Sequence, residues 1–502
     1  MIPTILKNIL DKKAKHPILK ATRDTPLTPP NLDFPIIIAE IKRASPSAGN
    51  IGKIENPKDL ANSYLKGGAS AISILCEEDF FKGSLEDLHQ VKQSYPNATI
   101  LRKDFITKIE QIQESYDFGA DMVLLIAAVF IGENNENGGF SRLKSLYEES
   151  LKLGLTPLIE VHNQAEIDFI TPLKAMLIGI NSRNLHTFKI NKIQAYNLLK
   201  YLKTTNPQSK TIFESSIECS FDGFVIGNIG FDGILCGSYL VRDSNPTQTL
   251  KSLKDSMICG KNSPNAFYSN AFELLNSPQG FLKICGITSK EDALMCANTL
   301  EPTLQNHTHN DSSPKKLAAL GFILAKDSPR FITPQAIEEI SNALKSHPKI
   351  LKIGVVKEDE KMLQQAINLY KKGIIDALQL HGVKQQNFAK IDLKNADFSF
   401  YEVWNIAESE DLGDFISPFV LLDSKSQLGG GSGKSIKLEV LKSLKEKVND
   451  YLCVAGGICA DNVIPLRNIG AKMLDINSSI ESKIGKKDSQ KLQTLLHLYF
   501  SS

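Results

Sequence analysis

Charged residues stand where short apolar runs end in the first half of the chain. Glu40 and Lys42 lie two residues apart in IIIAEIKRASPS, so their side chains point to the same side of a strand. Because burying an unpaired charge is costly, we expect them to pair with each other or to contact a charged ligand. Lys103 closes the run in ILRKDF, and Glu160 closes the run in PLIEVH. Together these two offer an acid and a base.

Later runs of the same half end in residues that suit an anionic substrate. These residues are Asn181, Arg183, Glu214, Ser215, Gly237 and Ser238. The cations of Lys42 and Arg183 can bind anionic groups. Backbone N–H groups near Ser215 and Gly237 predict a phosphate site, since barrel enzymes commonly hold phosphate after their seventh and eighth strands.

The second half of the chain has its own candidates for acid–base chemistry. Cys285 closes the run in LKICGIT, and Asp423 closes the run in FVLLDS. A thiolate and a carboxylic acid facing each other across a barrel mouth would form a base and acid pair. Arg330, in SPR, can hold a carboxylate with two hydrogen bonds. His381 ends the run in LQLHG, and both a substrate contact and a bond to the backbone stay open for it.

Three small-residue segments of the second half suit phosphate. Gly431 lies in GGGSGK, Gly457 in VAGGI and Ser478 in DINSS. The first segment can close over an anion with its backbone amides, and the other two follow apolar runs where barrels bind phosphate. GGGSGK lacks the GxxxxGK[ST] spacing of nucleotide-binding loops, so we do not expect it to bind ATP.

Residues so far apart in sequence need a scaffold that gathers strand ends on one face. Short apolar runs are typical of strands buried on both faces, and the amphipathic stretches between them indicate crossover helices. The predicted strands of the first half are 36–41, 71–76, 98–102, 121–127, 156–160, 176–181, 210–214 and 232–237. Those of the second half are 281–285, 318–323, 350–355, 376–380, 396–402, 418–423, 451–455 and 472–476. Eight such units fit a closed barrel.

The predicted fold class is therefore α/β, with two tandem (βα)8 TIM barrels joined by a short linker. The predicted divisions are a first barrel at 1–250, a linker at 251–280 and a second barrel at 281–502. The linker is rich in Asn, Ser, Pro and Gly and leaves room for one short helix.

Two polar inserts, 132–139 and 301–316, are expected to be loops, the second lying between the first helix and second strand of its barrel. His307 and His309 in the second insert open the alternative of a metal tract. We favour a loop, because no Cys or third His accompanies them.

Composition excludes several classes of protein. The 502 residues are 42% hydrophobic and 23% charged, as in ordinary globular proteins. A net charge of +2 predicts no nucleic-acid or membrane partner. Eight cysteines without a CxxC pair argue against structural zinc and favour reduced thiols in the cytoplasm. The basic N-terminus favours a surface helix over a targeting peptide, and the longest apolar run, 122–131, is too short to span a bilayer.

The first half resembles indole-3-glycerol-phosphate synthase over nearly all of residues 1–245. The shared segments are PTILxxIL, AEIKRASPSAG, AISILCEEDFFKGSLEDL, LRKDFI, PLIEVH, IGINSRNL, ESSI and LCGSYLVR. The resemblance implies conversion of 1-(2-carboxyphenylamino)-1-deoxyribulose 5-phosphate to indole-3-glycerol phosphate, with loss of CO2 and water. Where the family usually has ESGI, this chain has Ser216 at a position where glycine permits positive φ or close approach to phosphate.

Matched motif by motif, the same resemblance implies a role for each candidate. Lys103 is the implied general acid on the substrate carbonyl, and Glu160 the implied acid and base of the later dehydration. Lys42 and Arg183 are implied to steer the substrate carboxylate. The residues implied to orient the lysines and the substrate are Glu40, Asn181 and Glu214, and those implied to hold phosphate are Ser215, Gly237 and Ser238.

The second half resembles phosphoribosylanthranilate isomerase over about 281–490. The shared segments are KICGIT, SPRFIT, IGVV, ALQLHG, LLDS, GGGSGK, VAGGICADNV and LDINSSIESKIGKKD. The resemblance implies that Cys285 removes the C2 proton, Asp423 donates the proton that opens the ribose ring and Arg330 faces the anthranilate carboxylate. It places phosphate binding in the segments of Gly431, Gly457 and Ser478. Departures at 435–437 and Asn405 lie outside the acid and base pair.

The order of the two halves resembles the fused enzymes of bacterial tryptophan biosynthesis, in which the isomerase product is the synthase substrate. The resemblance implies phosphosugar substrates, and a monomer is the simplest expectation. It implies no metal, nucleotide or redox cofactor, because neither reaction transfers electrons or hydride.

Two other interpretations stay open. Another pair of phosphosugar barrels, such as those of histidine synthesis, is opposed by Cys285, because those isomerases use two aspartates. A non-catalytic sugar-phosphate sensor would keep the phosphate sites but lack acid and base groups, which Lys103, Glu160, Cys285 and Asp423 supply. Turnover of each substrate separates the three interpretations.

Overall fold

The chain folds into two compact units, Met1–Lys261 and Asn262–Ser502. The computed structural model describes residues 4–46, 49–131, 138–183, 191–278, 280–306, 316–357, 359–382, 392–425 and 435–500. Within this part of the chain, each unit contains a closed ring of eight parallel strands. The predicted architecture of two tandem barrels is therefore confirmed.

The strands of the first unit build a barrel and one small hairpin. They are β1 Ile36–Ile41, β2 Ala44–Ser45, β3 Gly49–Asn50, β4 Ala71–Leu75, β5 Ile100–Lys103, β6 Met122–Ile126, β7 Thr156–Val161, β8 Leu177–Asn181, β9 Lys210–Glu214 and β10 Gly233–Cys236. β2 and β3 form the hairpin, and the others form the ring in the order β1-β10-β9-β8-β7-β6-β5-β4. Because β1 pairs in parallel with both β4 and β10, the ring is closed and all carboxyl ends meet at one face.

Helices alternate with the strands of the first barrel. They are α1 Thr4–Lys13, α2 Pro57–Gly67, α3 Leu85–Ser94, α4 Ile109–Asp117, α5 Ala127–Phe130, α6 Gly139–Lys152, α7 Gln164–Ile170, α8 Lys192–Thr205, α9 Ser220–Ile229, α10 Ser238–Arg242 and α11 Pro246–Lys261. Local sequence signals bound them. Asn56 caps α2, Pro57 occupies its first turn, and Gly68 ends it with a φ of 88°.

The described chain between α1 and β1 contains no helix and is held by buried charges. Arg23 and Lys92 contact the two carboxylate oxygens of Asp121 at 2.7 and 2.8 Å. Asp121 directly precedes β6, so this cluster lies at the face opposite the carboxyl ends. The cluster fixes the path of the N-terminal segment across the bottom of the barrel.

The second unit contains a second barrel and a second small hairpin. Its strands are β11 Phe281–Ile284, β12 Ala318–Ile323, β13 Ile350–Lys357, β14 Ala377–His381, β15 Phe400–Ile406, β16 Val420–Ser424, β17 Leu452–Ala455, β18 Ala471–Ile476, β19 Glu481–Lys483 and β20 Lys486–Lys487. β11 to β18 follow one another around the ring in chain order, and β11 pairs with β18 to close it. The hairpin of β19 and β20 directly follows the eighth barrel strand and its short turn.

The helices of the second unit are fewer in the described residues. They are α12 Phe267–Asn276, α13 Lys290–Asn306, α14 Pro334–Ala343, α15 Glu360–Lys371, α16 Leu438–Leu444, α17 Val463–Asn468 and α18 Ser489–Phe500. The predicted loop at 301–316 was wrong at its start, because α13 continues to Asn306 despite Pro302. Leu300 and Leu304 lie one turn apart and are both fully buried, which offsets the backbone hydrogen bond that proline removes.

The segment predicted as a linker, 251–280, is largely helical. It holds most of α11, which belongs to the first unit, and all of α12, which belongs to the second. Phe267, Tyr268 and Phe272 of α12 are fully buried, and the Tyr268 hydroxyl donates to the carbonyl of Phe400 at 2.7 Å. Because Phe400 begins β15, α12 packs against the amino ends of the second barrel's strands and covers its bottom.

The described residues contain neither a membrane-spanning helix nor a cluster of metal ligands. None of their helices is both long enough and apolar enough to cross a bilayer. No group of three or more His, Cys, Asp or Glu in the described ranges is arranged to hold a metal ion. The two predicted loop histidines, His307 and His309, lie outside those ranges.

Candidate functional site

One cavity at the carboxyl face of the first barrel gathers all the residues predicted there. It has a volume of about 210 Å3. Its lining includes Glu40, Lys42, Lys103, Glu160, Asn181, Arg183, Glu214, Ser215, Gly237 and Ser238. These residues come from six of the eight barrel strands or the turns after them, so the closed parallel ring brings together what the sequence keeps apart.

Lys103 lies at the centre of the cavity's charges. Its Nζ is 2.7 Å from Oε2 of Glu160 and 2.8 Å from Oε2 of Glu214. The three side chains project from the ends of β5, β7 and β9. Burial opposes the charge of Lys103, but the surrounding carboxylates outweigh burial and raise the pKa of this lysine. Lys103 is thus held as an ammonium group.

The two carboxyl groups beside Lys103 differ in their affinity for a proton. Burial favours the neutral form of Glu160, but Lys103 and His162 outweigh it and hold the pKa of Glu160 well below its usual range. Burial and the charge of Glu160 outweigh Lys103 at the other carboxyl and raise the pKa of Glu214 to about 8. One ionised and one protonated carboxyl therefore flank the ammonium group, which is an arrangement suited to acid–base chemistry.

A second ion pair lies at the end of β1. Lys42 Nζ is 2.6 Å from Oε1 of Glu40, which is one of the two arrangements that their two-residue spacing left open. This carboxylate packs closely against Gly237, since a Cβ atom at Gly237 would lie 2.6 Å from the same oxygen. Any larger residue at Gly237 would push Glu40 and hence Lys42 out of place.

Asn181 joins the ends of β8 and β9. Its Oδ1 accepts from the hydroxyl of Ser215 at 2.8 Å and from the backbone N–H of Arg183 at 3.1 Å. Ser215 and Ser216 have φ values of 73° and 57°, in the left-handed region that favours glycine. The hydroxyl of Ser216 lies 2.7 Å from that of Ser182, a contact that glycine could not make.

The cavity also has an apolar wall that the sequence interpretation missed. Leu6 and Ile9 of α1 are buried and line it, together with the rings of Phe81 and Phe105. Lys13, in the last turn of α1, lies 2.7 Å from the buried Asp104, next to Lys103. The N-terminal helix is thus fastened over the site. The sequence signal for this wall was the spacing of apolar residues in PTILKNIL, which gives one face of a helix an apolar stripe.

His162 and Glu166 form a further part of the site that was not predicted. Nε2 of His162 lies 3.2 Å from Oε1 of Glu160, and Nδ1 lies 3.0 Å from Oε2 of Glu166. Both residues stand in the quoted PLIEVH segment or just after it. Their contact depends on how α7 starts after β7, which the strand pattern does not specify.

In the second barrel, Cys285 follows β11 and Asp423 lies in β16, as predicted. Lys283 and Asp475, which were not predicted, form a buried pair at 2.7 Å between the first and eighth strands. A Cβ atom on Gly321 would meet both the Sγ of Cys285 and the Nζ of Lys283 at 2.9 Å, so these two atoms are close neighbours. The two-residue spacing of Lys283 and Cys285 could have predicted this, because it places both side chains on the same side of the strand.

The acid and base candidates of the second barrel share these charged neighbours. Burial and then Asp475 raise the pKa of Asp423 to about 6. Burial and Asp475 also raise the pKa of Cys285, against the lowering effect of Lys283. Cys285 itself is buried, with 5% of its surface exposed.

Arg330 already holds a carboxylate from its own chain. Its Nε and Nη2 donate to the two oxygens of Glu481 at 2.8 and 2.7 Å. Lys487 lies 3.0 Å from the same carboxylate, across the hairpin of β19 and β20. The predicted geometry of a carboxylate held by two bonds is present, but the partner is Glu481, which the sequence interpretation did not include.

The remaining predicted residues of the second barrel surround the same mouth. His381 ends β14 and contacts the Gln379 side chain at 2.9 Å; burial and then Lys283 lower the pKa of His381 to about 3. Gly457 follows β17 with a φ of 60°, and Ser478 begins the turn after β18. Gly431 and the GGGSGK segment lie outside the described residues.

Two family models match the chain. The model for indole-3-glycerol phosphate synthase matches residues 27–253, and the model for N-(5'-phosphoribosyl)anthranilate isomerase matches residues 295–497. Each matched segment lies within one of the two compact units. The two matches therefore fall on separate barrels.

Similar proteins include both fused and single relatives. The tryptophan biosynthesis protein TrpCF of Helicobacter pylori strain J99 is 29% identical over 511 residues, covering 99% of each chain. The indole-3-glycerol phosphate synthase of Aquifex aeolicus is 41% identical over 217 residues, which are 43% of this chain and 80% of that protein. A crystal structure of phosphoribosyl anthranilate isomerase from Thermus thermophilus is 28% identical over 44% of this chain and 98% of its own, with a TM-score of 0.34.

The full-length match to TrpCF and the presence of both family models in one chain agree with the two barrels. The chain therefore belongs to the bifunctional tryptophan-biosynthesis enzymes that join an indole-3-glycerol phosphate synthase domain to an N-(5'-phosphoribosyl)anthranilate isomerase domain.

Proposed function

We propose that the two barrels catalyse consecutive steps on phosphorylated sugar substrates in the cytoplasm. The second unit isomerises N-(5-phosphoribosyl)anthranilate to 1-(2-carboxyphenylamino)-1-deoxyribulose 5-phosphate. The first unit converts this product to indole-3-glycerol phosphate, CO2 and water. This assignment of one reaction to each unit is supported by the separate family matches.

The observation that carries the synthase assignment is the position of Lys103. Its ammonium group lies 2.7 Å from a carboxylate oxygen of Glu160 and 2.8 Å from one of Glu214, in a cavity with an apolar wall. In the proposed reaction Lys103 donates a proton to the substrate carbonyl as the new ring bond forms. Glu160 then takes and returns protons in the dehydration, while CO2 leaves from the ring carbon that carried the carboxylate.

Substrate binding uses the rest of the same cavity. Lys42 and Arg183 face the substrate carboxylate, and Glu40, Asn181 and Glu214 orient the charged groups. Phosphate is held beside Ser215, Gly237 and Ser238, on the side of the cavity formed by the last two strands. The apolar face of α1 and the two phenylalanine rings pack against the aromatic ring of the substrate.

In the second barrel we assign the acid step to Asp423 and the base step to Cys285. With its pKa raised to about 6, Asp423 keeps a protonated fraction near neutral pH that can donate to the ribose ring oxygen. Cys285 must lose its proton to accept one from C2, and Lys283 is the adjacent cation that favours the thiolate. Arg330, Gly457, Ser478, His381 and Gly431 are assigned to substrate binding.

The test is turnover of each substrate by the full chain and by three variants. Lys103→Ala is expected to lower the synthase rate by about 10²–10⁴-fold and to leave the isomerase rate unchanged. Cys285→Ala and Asp423→Asn are expected to lower the isomerase rate and to leave the synthase rate unchanged. A Lys103→Ala variant with more than half of the wild-type synthase rate would contradict the assignment, and so would full isomerase activity in Cys285→Ala.

A further inference from the structure

His162, the residue after β7, is enclosed by two carboxylates. Its ring nitrogens lie 3.2 Å from Glu160 and 3.0 Å from Glu166, and each of the three side chains is only 5 or 6% exposed. Glu160 therefore lies between two nitrogen atoms, Nζ of Lys103 at Oε2 and Nε2 of His162 at Oε1. The mechanism proposed above uses Lys103 and Glu160 but gives His162 no part.

The contacts of His162 determine its protonation state. A neutral imidazole has one N–H donor and one acceptor, whereas an imidazolium has two donors. Nδ1 is hydrogen-bonded to Oε2 of Glu166, whereas Nε2 makes no hydrogen bond within the described residues and lies 3.2 Å from Oε1 of Glu160. A positive charge on the ring suits both carboxylates. Burial opposes this charge, but the two carboxylates outweigh burial and raise the pKa of His162 to about 9.

The charges of the buried cluster then balance. The titratable groups that face it are Lys103 of β5, Glu160 of β7, Glu214 of β9, Glu166 of α7, and the paired Glu40 and Lys42 at the end of β1. With Glu214 protonated, the charges of Lys103 and His162 offset those of Glu160 and Glu166. Without the imidazolium, the cluster would carry a negative charge, and Glu160 would compete with Glu214 for one more proton.

We propose that His162 is a positioning residue of the first site, which as an imidazolium keeps Glu160 ionised and directed at Lys103. The inference rests on the proposed synthase function of the first unit. His162 acts through Glu160, because the substrate cavity is lined by Glu160 and not by the imidazole. The chemistry it supports is the proton uptake by Glu160 during dehydration.

The alternative is that His162 has only a structural role at the start of α7. Glu166 accepts from the backbone N–H of His162 at 2.8 Å and from the Asn163 side chain at 2.6 Å, so it caps this corner without the imidazole. If His162 served only to pack the corner, its replacement would change stability. It would leave the ionisation of Glu160, and hence the pH profile of the synthase, unchanged.

The first measurement needs no substrate. The ring of His162 is titrated by NMR in the full chain, with the signal assigned from its absence in His162→Gln. We expect a pKa near 9 in the wild type and a lower value in Glu160→Gln, which loses one of the two carboxylates. A wild-type value at or below the ordinary 6.5 or so would overturn the proposal.

The second measurement is the pH dependence of the synthase kcat for His162→Gln. We expect the acid limb of the profile to move up by about 1–3 pH units, as loss of a cation within contact distance predicts for a carboxylate. His89→Gln is the matched control, since His89 lies on α3, bonded to the carbonyl of Phe118 and outside the cavity lining. Its profile is expected to match the wild type.

An unshifted acid limb in a folded His162→Gln protein would overturn the positioning role. If that variant does not fold, the His162 signal is identified as the one whose pKa falls in Glu160→Gln, and the absence of any such signal near pH 9 in the wild type would overturn the proposal. A wild-type chain that binds but does not convert the substrate would overturn the proposed function, and the NMR titration separates that failure from a failure of the His162 proposal.

Discussion

Ser216 combines a left-handed backbone with a hydroxyl contact to Ser182. Glycine at this position would remove the conformational cost of about 1 kcal/mol but lose the hydroxyl, whereas alanine would lose the hydroxyl and keep the cost. We therefore expect Ser216→Gly to be more stable than Ser216→Ala by about 1 kcal/mol. Urea unfolding of the two variants measures the difference, and equal stability would show that the backbone relaxes at no cost.

Glu214 makes stability depend on pH. The pKa of Glu214 is raised in the folded state, so protonation of this residue stabilises the fold. The stabilisation is complete at pH values below the pKa that Glu214 has in the unfolded chain, and it is lost as pH rises through about 8. Glu214→Gln removes the titrating group. As pH rises from 5 to 9, we expect the stability of the variant relative to the wild type to increase, because only the wild type loses stabilisation. The synthase rate of the variant is expected to be lower than that of the wild type.

Thermal unfolding of both proteins at several pH values gives the comparison. Glu148→Gln is a suitable control, because Glu148 is exposed on α6 and far from the cavity lining. A stability difference between Glu214→Gln and wild type that does not change with pH would show that Glu214 is ionised throughout.

Residues at strand ends could be predicted from the sequence, but their partners from other elements could not. The parallel ring forces the ends of β5, β7 and β9 together, so Lys103, Glu160 and Glu214 met as expected. The pairing of Arg330 with Glu481 joins residues 151 positions apart through a hairpin outside the ring. No periodic pattern of apolar residues predicts this pair, because the pair depends on the path that the chain takes after the last barrel strand.

At the scale of elements, α1 is held over the first site by one buried ion pair. Lys13→Met keeps the length of the side chain but removes its contact with Asp104, which retains Arg102 at 2.9 Å. We expect α1 to open more often, so that KM rises several-fold and the amides of α1 exchange faster with deuterium. The reason is that Leu6 and Ile9 would spend less time against the substrate.

Lys7→Met is the matched control for this experiment, since Lys7 is exposed on the same helix. Its KM and amide exchange are expected to equal those of the wild type. Unchanged exchange in Lys13→Met would mean that the apolar contacts of α1 suffice to hold it closed.

At the scale of the whole molecule, the place of α12 decides where the chain can be divided. A cut near Asn265, within the segment predicted as a linker, would fall inside the second unit, where Ser263 and Asn265 contact Tyr370 and Ile375. We expect a fragment of residues 262–502 to fold and to keep isomerase activity. A fragment of 281–502 lacks α12, exposes the bottom of its barrel and is expected to aggregate or to lose activity.

Activity and urea unfolding of both fragments test this boundary. Equal stability of the two fragments would show that α12 contributes nothing to the second barrel. The sequence predicted both strand series because buried parallel strands have a strong apolar signal. It gave little signal for α12, whose apolar residues stand between Asn, Ser and Pro, so the segment looked like a linker.

The closure of the first ring by β1 and β10 also sets an order for folding during synthesis on the ribosome. The ring cannot close until residues 233–236 have been made, and α11 then packs on α2 and α9 and completes the unit at Lys261. At typical rates of translation, the remaining 241 residues take roughly 12–48 s to appear. The first barrel therefore has its full set of strands before those of the second have been made, so its strands can pair with one another first.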